Sequence, residues 1–127
     1  MPKFQINRVN YYLIMGEDMS KWVLILGGST GHGAATAKRL AKDGYGIIAF
    51  HFDRGEAKKL AAETIEEVNK TTGGRCHYFN TNAASEENMN KYIPKIKEIT
   101  GGQPLKLLLH SIAFGTTTNL FGEKPVT

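Results

Sequence analysis

Four short stretches of this chain hold the residue types that could do chemistry: Gly27-Gly28-Ser29-Thr30-Gly31-His32-Gly33, His51-Phe52-Asp53-Arg54, Asn82-Ala83 and His110-Ser111-Ile112-Ala113. The first is rich in glycine and poor in charge, which suits an anion held by main-chain N–H groups rather than by side chains. The N–H groups of a first helical turn have no internal partner and stand at the positive end of the helix dipole. A helix opening at Gly31 can therefore take a diphosphate without a charged side chain. In that setting Gly27 permits the sharp turn out of a strand, Gly31 the close approach of phosphate, and Gly33 the tight packing of helix on strand. His32 either touches the phosphate or is an exposed loop histidine.

For these stretches to meet, strand, turn and helix must repeat along the chain. Trp22 to Leu26 is an apolar run that suits a strand covered on both faces, and the spacing of Ala34, Ala37, Leu40 and Ala41 predicts a helix from just after Gly31 to near Asp43-Gly44. A second strand is expected from Gly46 to Phe52. A helix follows from about Glu56 to Thr72, with Ala57, Ala61, Ile65 and Val68 as its buried stripe and Gly73-Gly74 closing it. Strand three spans Arg75 to Thr81. Ser85 is a good N-cap for a third helix through Met89, Tyr92, Ile93, Ile96 and Ile99, which Pro94 should kink and Gly101-Gly102 terminate. Leu105 to Leu109 makes a fourth strand and delivers His110-Ser111 to its carboxyl end, where ligands of such sheets bind. The fold class is therefore α/β, a Rossmann-type three-layer parallel sheet of about four strands with crossover helices. A glycine turn between such a strand and helix, with another strand after them, points to dinucleotide binding rather than to a bare structural turn.

At 127 residues and 41% hydrophobic content the chain is one domain, small for a complete nucleotide-dependent enzyme. Residues 1–19 stand outside the strand–helix rhythm as an extension, although Tyr11 to Met15 suits a short strand before a turn at Gly16-Glu17-Asp18. Either Met19 is the natural start, or the extension adds an edge strand. Residues 20–127 form the dinucleotide-binding domain. The net charge of +4 comes from lysines spread over several helices, which are solvated faces rather than a nucleic-acid patch. The single cysteine, Cys76, cannot close an internal disulfide and fits a reducing compartment, so a cytoplasmic location is expected. No apolar run approaches the ~18 residues of a membrane helix, and the first residues lack a secretory pattern, so no membrane partner is expected. The four histidines show no ligand spacing with Cys76 or with paired carboxylates, and no metal site is expected.

The motif Gly27-Gly28-Ser29-Thr30-Gly31-His32-Gly33 resembles the Gly-x-x-x-Gly-x-Gly fingerprint of short-chain dehydrogenases/reductases, and the resemblance runs from Lys21 to about Gly115. In that family the fourth strand ends in Asn-Asn-Ala-Gly, where this chain has His110-Ser111-Ile112-Ala113. His-Ser-Ile followed by a small residue and Phe114 looks like the enoyl-acyl-carrier-protein reductase branch, while the glycine spacing keeps to the broader family. The resemblance implies that Asn82-Ala83 lies along the adenine, where Asn82 either accepts the adenine amino hydrogen or simply forms a turn. It implies that Ser111-Ile112-Ala113 passes near the nicotinamide ribose, with His110 a satisfied strand-end histidine or a catalytic acid. At the end of strand two an acid would bind the ribose hydroxyls of NAD, and an arginine would pair with the 2′-phosphate of NADP. Aligned on the family, the acid's position falls on Phe52, Arg54 stands where NADP-preferring relatives place their arginine, and Thr30 stands where they often have a second basic residue. The expected cofactor is NADP through Arg54. The competing assignment is NAD, with Asp53 on the ribose and Arg54 solvated.

Reductases of this family use a tyrosine as proton donor and a lysine four residues later that lowers its pKa. Tyr11, Tyr12, Tyr45, Tyr78 and Tyr92 are followed four residues on by Met15, Gly16, Ala49, Asn82 and Ile96, and seven residues on by Asp18, Met19, Phe52, Ser85 and Ile99. None is lysine. The family places its pair after a fifth strand and a long helix, beyond Thr127, so the chain is expected to be the cofactor half of such an oxidoreductase, its parent acting on a carbonyl or enoyl thioester. The alternative is a non-catalytic dinucleotide-binding module. The bare edge of strand four and an uncovered apolar face imply self-association.

Overall fold

A computed structural model of the chain describes residues 21–112. The elements run β1 (Trp22–Leu26), α1 (Gly31–Lys42), β2 (Gly46–His51), α2 (Ala57–Thr72), β3 (Cys76–Asn80), α3 (Glu86–Thr100) and β4 (Leu107–His110). The Tyr11 to Met15 strand, the 1–19 extension and Ala113 lie outside the described residues. The four strands form one parallel sheet in the order β3-β2-β1-β4, with Leu26 opposite Phe50 on one side and His110 on the other. The Rossmann-type α/β fold expected from the sequence is the one observed.

Period-two alternation explains why β1 and β2 are apolar throughout. Val23, Ile25, Ile47 and Ala49 face a core shared with Ala37 and Ala41 of α1 and Val68 of α2. Trp22, Leu24, Ile48 and Phe50 face the opposite core, closed by Ile96 of α3. The sheet is thus sandwiched between helix layers, and β2 is buried along its whole length. Phe50 anchors the second core with its ring 5.6 Å from that of Tyr92, edge to face, and 5.4 Å from that of Phe79.

The helix boundaries follow local chemistry. Ser85 caps α3 by accepting a hydrogen bond from the Asn88 N–H at 3.3 Å, and Gly101 ends it in the left-handed conformation at φ +65°. Gly73 ends α2 likewise at φ +67°. Helix α3 continues through Pro94, which sits on its exposed side. In α2 the buried positions are Ala61, Thr64 and Val68, while Ala57 and Ile65 are half-buried. Strand β4 begins at Leu107 rather than Leu105, because Leu105 turns toward the α3 core. It is the exposed edge: Leu107 and Leu108 are 43% and 60% accessible. No helix among the described residues is long and apolar enough to cross a membrane.

Candidate functional site

Chain order reverses between β1 and β4, and at that point the strands' carboxyl ends open into a cavity of about 220 Å³. Gly27, Ser29 and Thr30 form one wall, His51, Phe52 and Asp53 another, and Thr81, Ala83, Ser111 and Ile112 complete it around Phe50.

The glycine turn is stitched to the end of β2. The N–H groups of Gly27 and Gly28 both donate to the Phe50 carbonyl, at 2.8 and 3.1 Å. A Cβ on Gly33 would collide with the Gly27 carbonyl oxygen, so a bare α-carbon is what lets α1 seat on the turn. Gly31 takes φ +58°, and beyond its own turn of backbone no neighbouring group lies within 4 Å of where its Cβ would stand. Its glycine requirement is set by backbone conformation, and the space beside it is open. Two side chains hold the turn from beneath: the Tyr78 hydroxyl donates to the Gly28 carbonyl at 2.9 Å and the Thr64 hydroxyl to the Ser29 carbonyl at 3.1 Å. Burial pushes the Tyr78 phenol well up from its usual value, with a smaller contribution from Cys76, so it stays protonated as a donor. Burial also pushes the Cys76 thiol up, to about 11.

Helix α1 opens without help from side chains. Its N-cap, Thr30, is extended and makes no capping bond, and no acidic residue stands in the first turn. The first main-chain bond of the helix runs from Ala34 N–H to the Thr30 carbonyl at 3.1 Å, so the N–H groups of Gly31, His32 and Gly33 lie ahead of the ladder. Arg39 and Lys42 stand in its last turn, and Lys38, before them, pairs with Glu67 of α2 at 3.5 Å.

Across the cavity Asp53 is fixed at both ends. Its Oδ2 accepts from the Ser29 hydroxyl at 2.6 Å and from His51 Nδ1–H at 2.7 Å, and a carboxylate partner sets that imidazole tautomer. Its main chain is clamped by Asn80, which accepts from the Asp53 N–H at 3.0 Å and donates to the Asp53 carbonyl at 3.2 Å. Among the described residues no bond is made to Oδ1.

Gly27, Ser29, Thr30, Ala83, Ser111 and Ile112 are thus gathered around one cavity, and Gly31, His32 and Gly33 follow Thr30 of its wall as the first turn of α1, with His32 exposed. Arg54 stands outside the wall, its guanidinium 4.6 Å over the Phe52 ring. The Asn82 amide oxygen accepts from the Ala84 N–H at 2.9 Å, closing a turn. His110 is exposed at the end of β4. The sequence placed His51 and Phe52 in the stretch that chooses the cofactor without giving either a contact, and assigned no role to Phe50, Thr81, Tyr78 or Thr64. Position at a strand's carboxyl end could have marked Thr81, whereas nothing local marks Tyr78 or Thr64.

These groups fit a nicotinamide dinucleotide: unpaired main-chain donors with no competing carboxylate for the diphosphate, open space at Gly31, and a fixed acid for hydroxyls. Among the described residues no cluster of histidine, cysteine and carboxylates could hold a metal ion.

The chain resembles solved structures over 71% to 84% of its length. One is a short chain dehydrogenase from Bacillus anthracis, at 25% identity and TM-score 0.54, covering 71% of this chain and 34% of that one. Another is L-sorbose reductase from Gluconobacter frateurii, solved with NADPH and L-sorbose, at 19% identity and TM-score 0.63, covering 82% and 37%. A third is acetoin dehydrogenase from Enterobacter cloacae, at 20% identity and TM-score 0.61, covering 84% and 39%. The chain therefore spans well under half the length of these proteins, and the likeness to the last two is one of fold alone. No curated protein sequence matches it. The sequence model of the short chain dehydrogenases matches residues 21–121, one unbroken stretch that takes in β1, the glycine turn, Asp53 and the β4 tip. By that match the chain belongs to the short chain dehydrogenase family.

Proposed function

We propose that this chain holds a nicotinamide dinucleotide for hydride transfer, with the diphosphate at the start of α1 and an unphosphorylated adenosine ribose on Asp53. The observation that carries it is the Asp53 carboxylate in the cavity wall, with one oxygen fixed and the other without a described partner, while Arg54 stands outside. A carboxylate accepts from ribose hydroxyls and repels a 2′-phosphate. When bound, the nicotinamide gives or takes a hydride. The residues of this chain bind and orient: main-chain N–H groups of the α1 turn hold the diphosphate, Ala83 and Thr81 border the adenine side, and Ser111 and Ile112 border the nicotinamide ribose.

The proton donor is assigned to residues outside this sequence, since no tyrosine here has lysine at the family spacing. The parent reaction is reduction of a carbonyl or an enoyl thioester. We further assign the exposed Leu107 and Leu108 edge to association with another polypeptide, tested by sedimentation at micromolar concentration, and the chain to the reducing cytoplasm on its single cysteine.

A second assignment, NADP through Arg54, is favoured by the guanidinium lying against Phe52, a residue of the cavity wall; the L-sorbose reductase was solved with NADPH. Fluorescence titration of the chain with NADH and with NADPH decides. Tighter NADH binding supports Asp53, tighter NADPH binding transfers the role to Arg54, and no saturable binding of either overturns the proposed function.

A further inference from the structure

An acid that discriminates between a hydroxyl and a phosphate must be fixed, because a free carboxylate can turn away from an incoming anion. In this chain the fixing is done by two residues from different elements. Ser29 belongs to the glycine turn and His51 ends β2, yet both donate to the same oxygen of Asp53, at 2.6 and 2.7 Å. His51 and Asp53 have side chains only 7% and 14% accessible, so both bonds are made largely away from water. The His51 ring packs 5.8 Å from the ring of Tyr78, whose hydroxyl holds the Gly28 carbonyl. Contacts therefore run from the turn through Tyr78 and His51 to Asp53 and return to the turn through Ser29. The diphosphate-binding turn and the ribose acid are one hydrogen-bonded and packed unit.

We propose that His51 and Ser29 are positioning residues that, by fixing Oδ2 of Asp53, set the preference of this site for a dinucleotide with an unphosphorylated adenosine ribose. The inference rests on the Asp53 assignment made above. Neither residue needs to touch the ribose. His51 acts from behind the carboxylate, and Ser29 gives its hydroxyl to the acid, leaving its main chain to the turn. Unfixed, the carboxylate loses its set direction toward hydroxyls and its set repulsion of phosphate.

The test uses the whole 127-residue chain and three substitutions, read as dissociation constants for NADH and for NADPH by fluorescence titration, with thermal unfolding followed alongside. His51→Leu removes the imidazole donor. His51→Asn keeps a nitrogen donor one bond from Cγ, as Nδ1 is, and serves as the rescue. Ser29→Ala removes the other donor with little loss of volume. With the carboxylate no longer held toward the ribose, His51→Leu is expected to weaken NADH binding by roughly tenfold. NADPH binding should hold or tighten as the repulsion of its phosphate is relieved, so the preference collapses. His51→Asn should restore the preference, and Ser29→Ala should move it in the same direction as His51→Leu. A purely structural histidine would lower the melting temperature and weaken both dinucleotides alike, leaving their ratio intact, and that result overturns the inference while the Asp53 assignment stands. If His51→Leu does not fold, Ser29→Ala decides alone: an unchanged ratio overturns the inference and a collapsed ratio supports it. Unmodified protein that prefers NADPH, or binds neither dinucleotide, overturns both the inference and the Asp53 assignment.

Discussion

Helices α1 and α3 both start at the carboxyl end of a strand, and they treat their first turns in opposite ways. At α3 the Ser85 hydroxyl accepts from the Asn88 N–H, and Glu86 and Glu87 supply negative charge where the dipole is positive. At α1 the N-cap Thr30 is extended but makes no capping bond, and the first turn carries no acid. One end is completed by its own side chains, and the other is left open. The start of α2 also lacks a side-chain cap, but Glu56 is exposed and stands outside the cavity wall. An open helix start becomes a site where the surrounding backbone is built to hold it open, and the largest expected effects come from disturbing that backbone.

Gly33→Val is the most severe disturbance. Its Cβ would fall on the Gly27 carbonyl oxygen, with Gly28 close behind, so α1 must lift from the turn. Overpacking against backbone costs about 3 kcal/mol or more. Urea unfolding should show that loss, and NADH binding should vanish with it. A folded Gly33→Val variant with unimpaired NADH binding would remove the glycine turn from the site.

Thr30→Asp tests the contrast from the other direction by giving α1 the ending that α3 has. The extended backbone at Thr30 already suits a capping carboxylate. Stability should rise by about 0.5–1 kcal/mol, because the new carboxylate satisfies an open N–H and complements the dipole. Dinucleotide binding should weaken by roughly tenfold, since the same N–H groups are taken and the diphosphate meets a like charge. Opposite signs in the two measurements are the prediction. A variant that gained stability without losing affinity would place the diphosphate elsewhere.

Tyr78→Phe probes the support beneath the turn. Loss of the 2.9 Å bond to the Gly28 carbonyl should lower stability by about 1 kcal/mol, with a smaller loss of affinity through the displaced turn. The pH dependence on this side of the sheet has a definite sign. The Cys76 thiol is raised from 9.0 to about 11 by burial, so its contribution is whole below pH 9 and is lost as pH rises toward 11. Urea midpoints across that window should fall, and Cys76→Ser should flatten the fall.

Much of this was legible in the chain. The apolar run of β1 ending in glycines, the helical spacing from Ala34, and Ser85 three residues before Asn88 are local signals, and the structure bears out the strand, the helix and the cap they imply. The network around Asp53 was not legible. Ser29 is 24 residues from Asp53, Thr64 is 35 from Ser29 and Tyr78 is 50 from Gly28. Those pairs depend on the parallel registers that set Leu26 beside Phe50 and Ala49 beside Tyr78, and on the packing of α2 beside the turn, and no period within any one element specifies them. Asn82 shows the same limit in reverse. Its residue type suits adenine and turn alike, and only the 2.9 Å bond to Ala84 shows that its amide oxygen serves the turn.

Ser85→Ala is the smallest expected effect and the most direct check on the contrast between the two helix starts. It removes the 3.3 Å bond to Asn88 and leaves Glu86 and Glu87 in place, so the dipole remains complemented while one N–H loses its protein partner. Stability should fall by about 0.5 kcal/mol, at the low end of the range for capping serines, because water can reach this half-buried end and satisfy part of the loss. Affinity for NADH should be unchanged, since Ser85 is outside the cavity wall. The two helix starts then separate cleanly: a change at Ser85 is read by denaturant and not by dinucleotide, whereas a change at Thr30 moves both readouts in opposite directions. If Ser85→Ala weakened NADH binding as much as it lowered stability, α3 would be part of the site, and the open start of α1 would no longer be what distinguishes the binding end of this sheet.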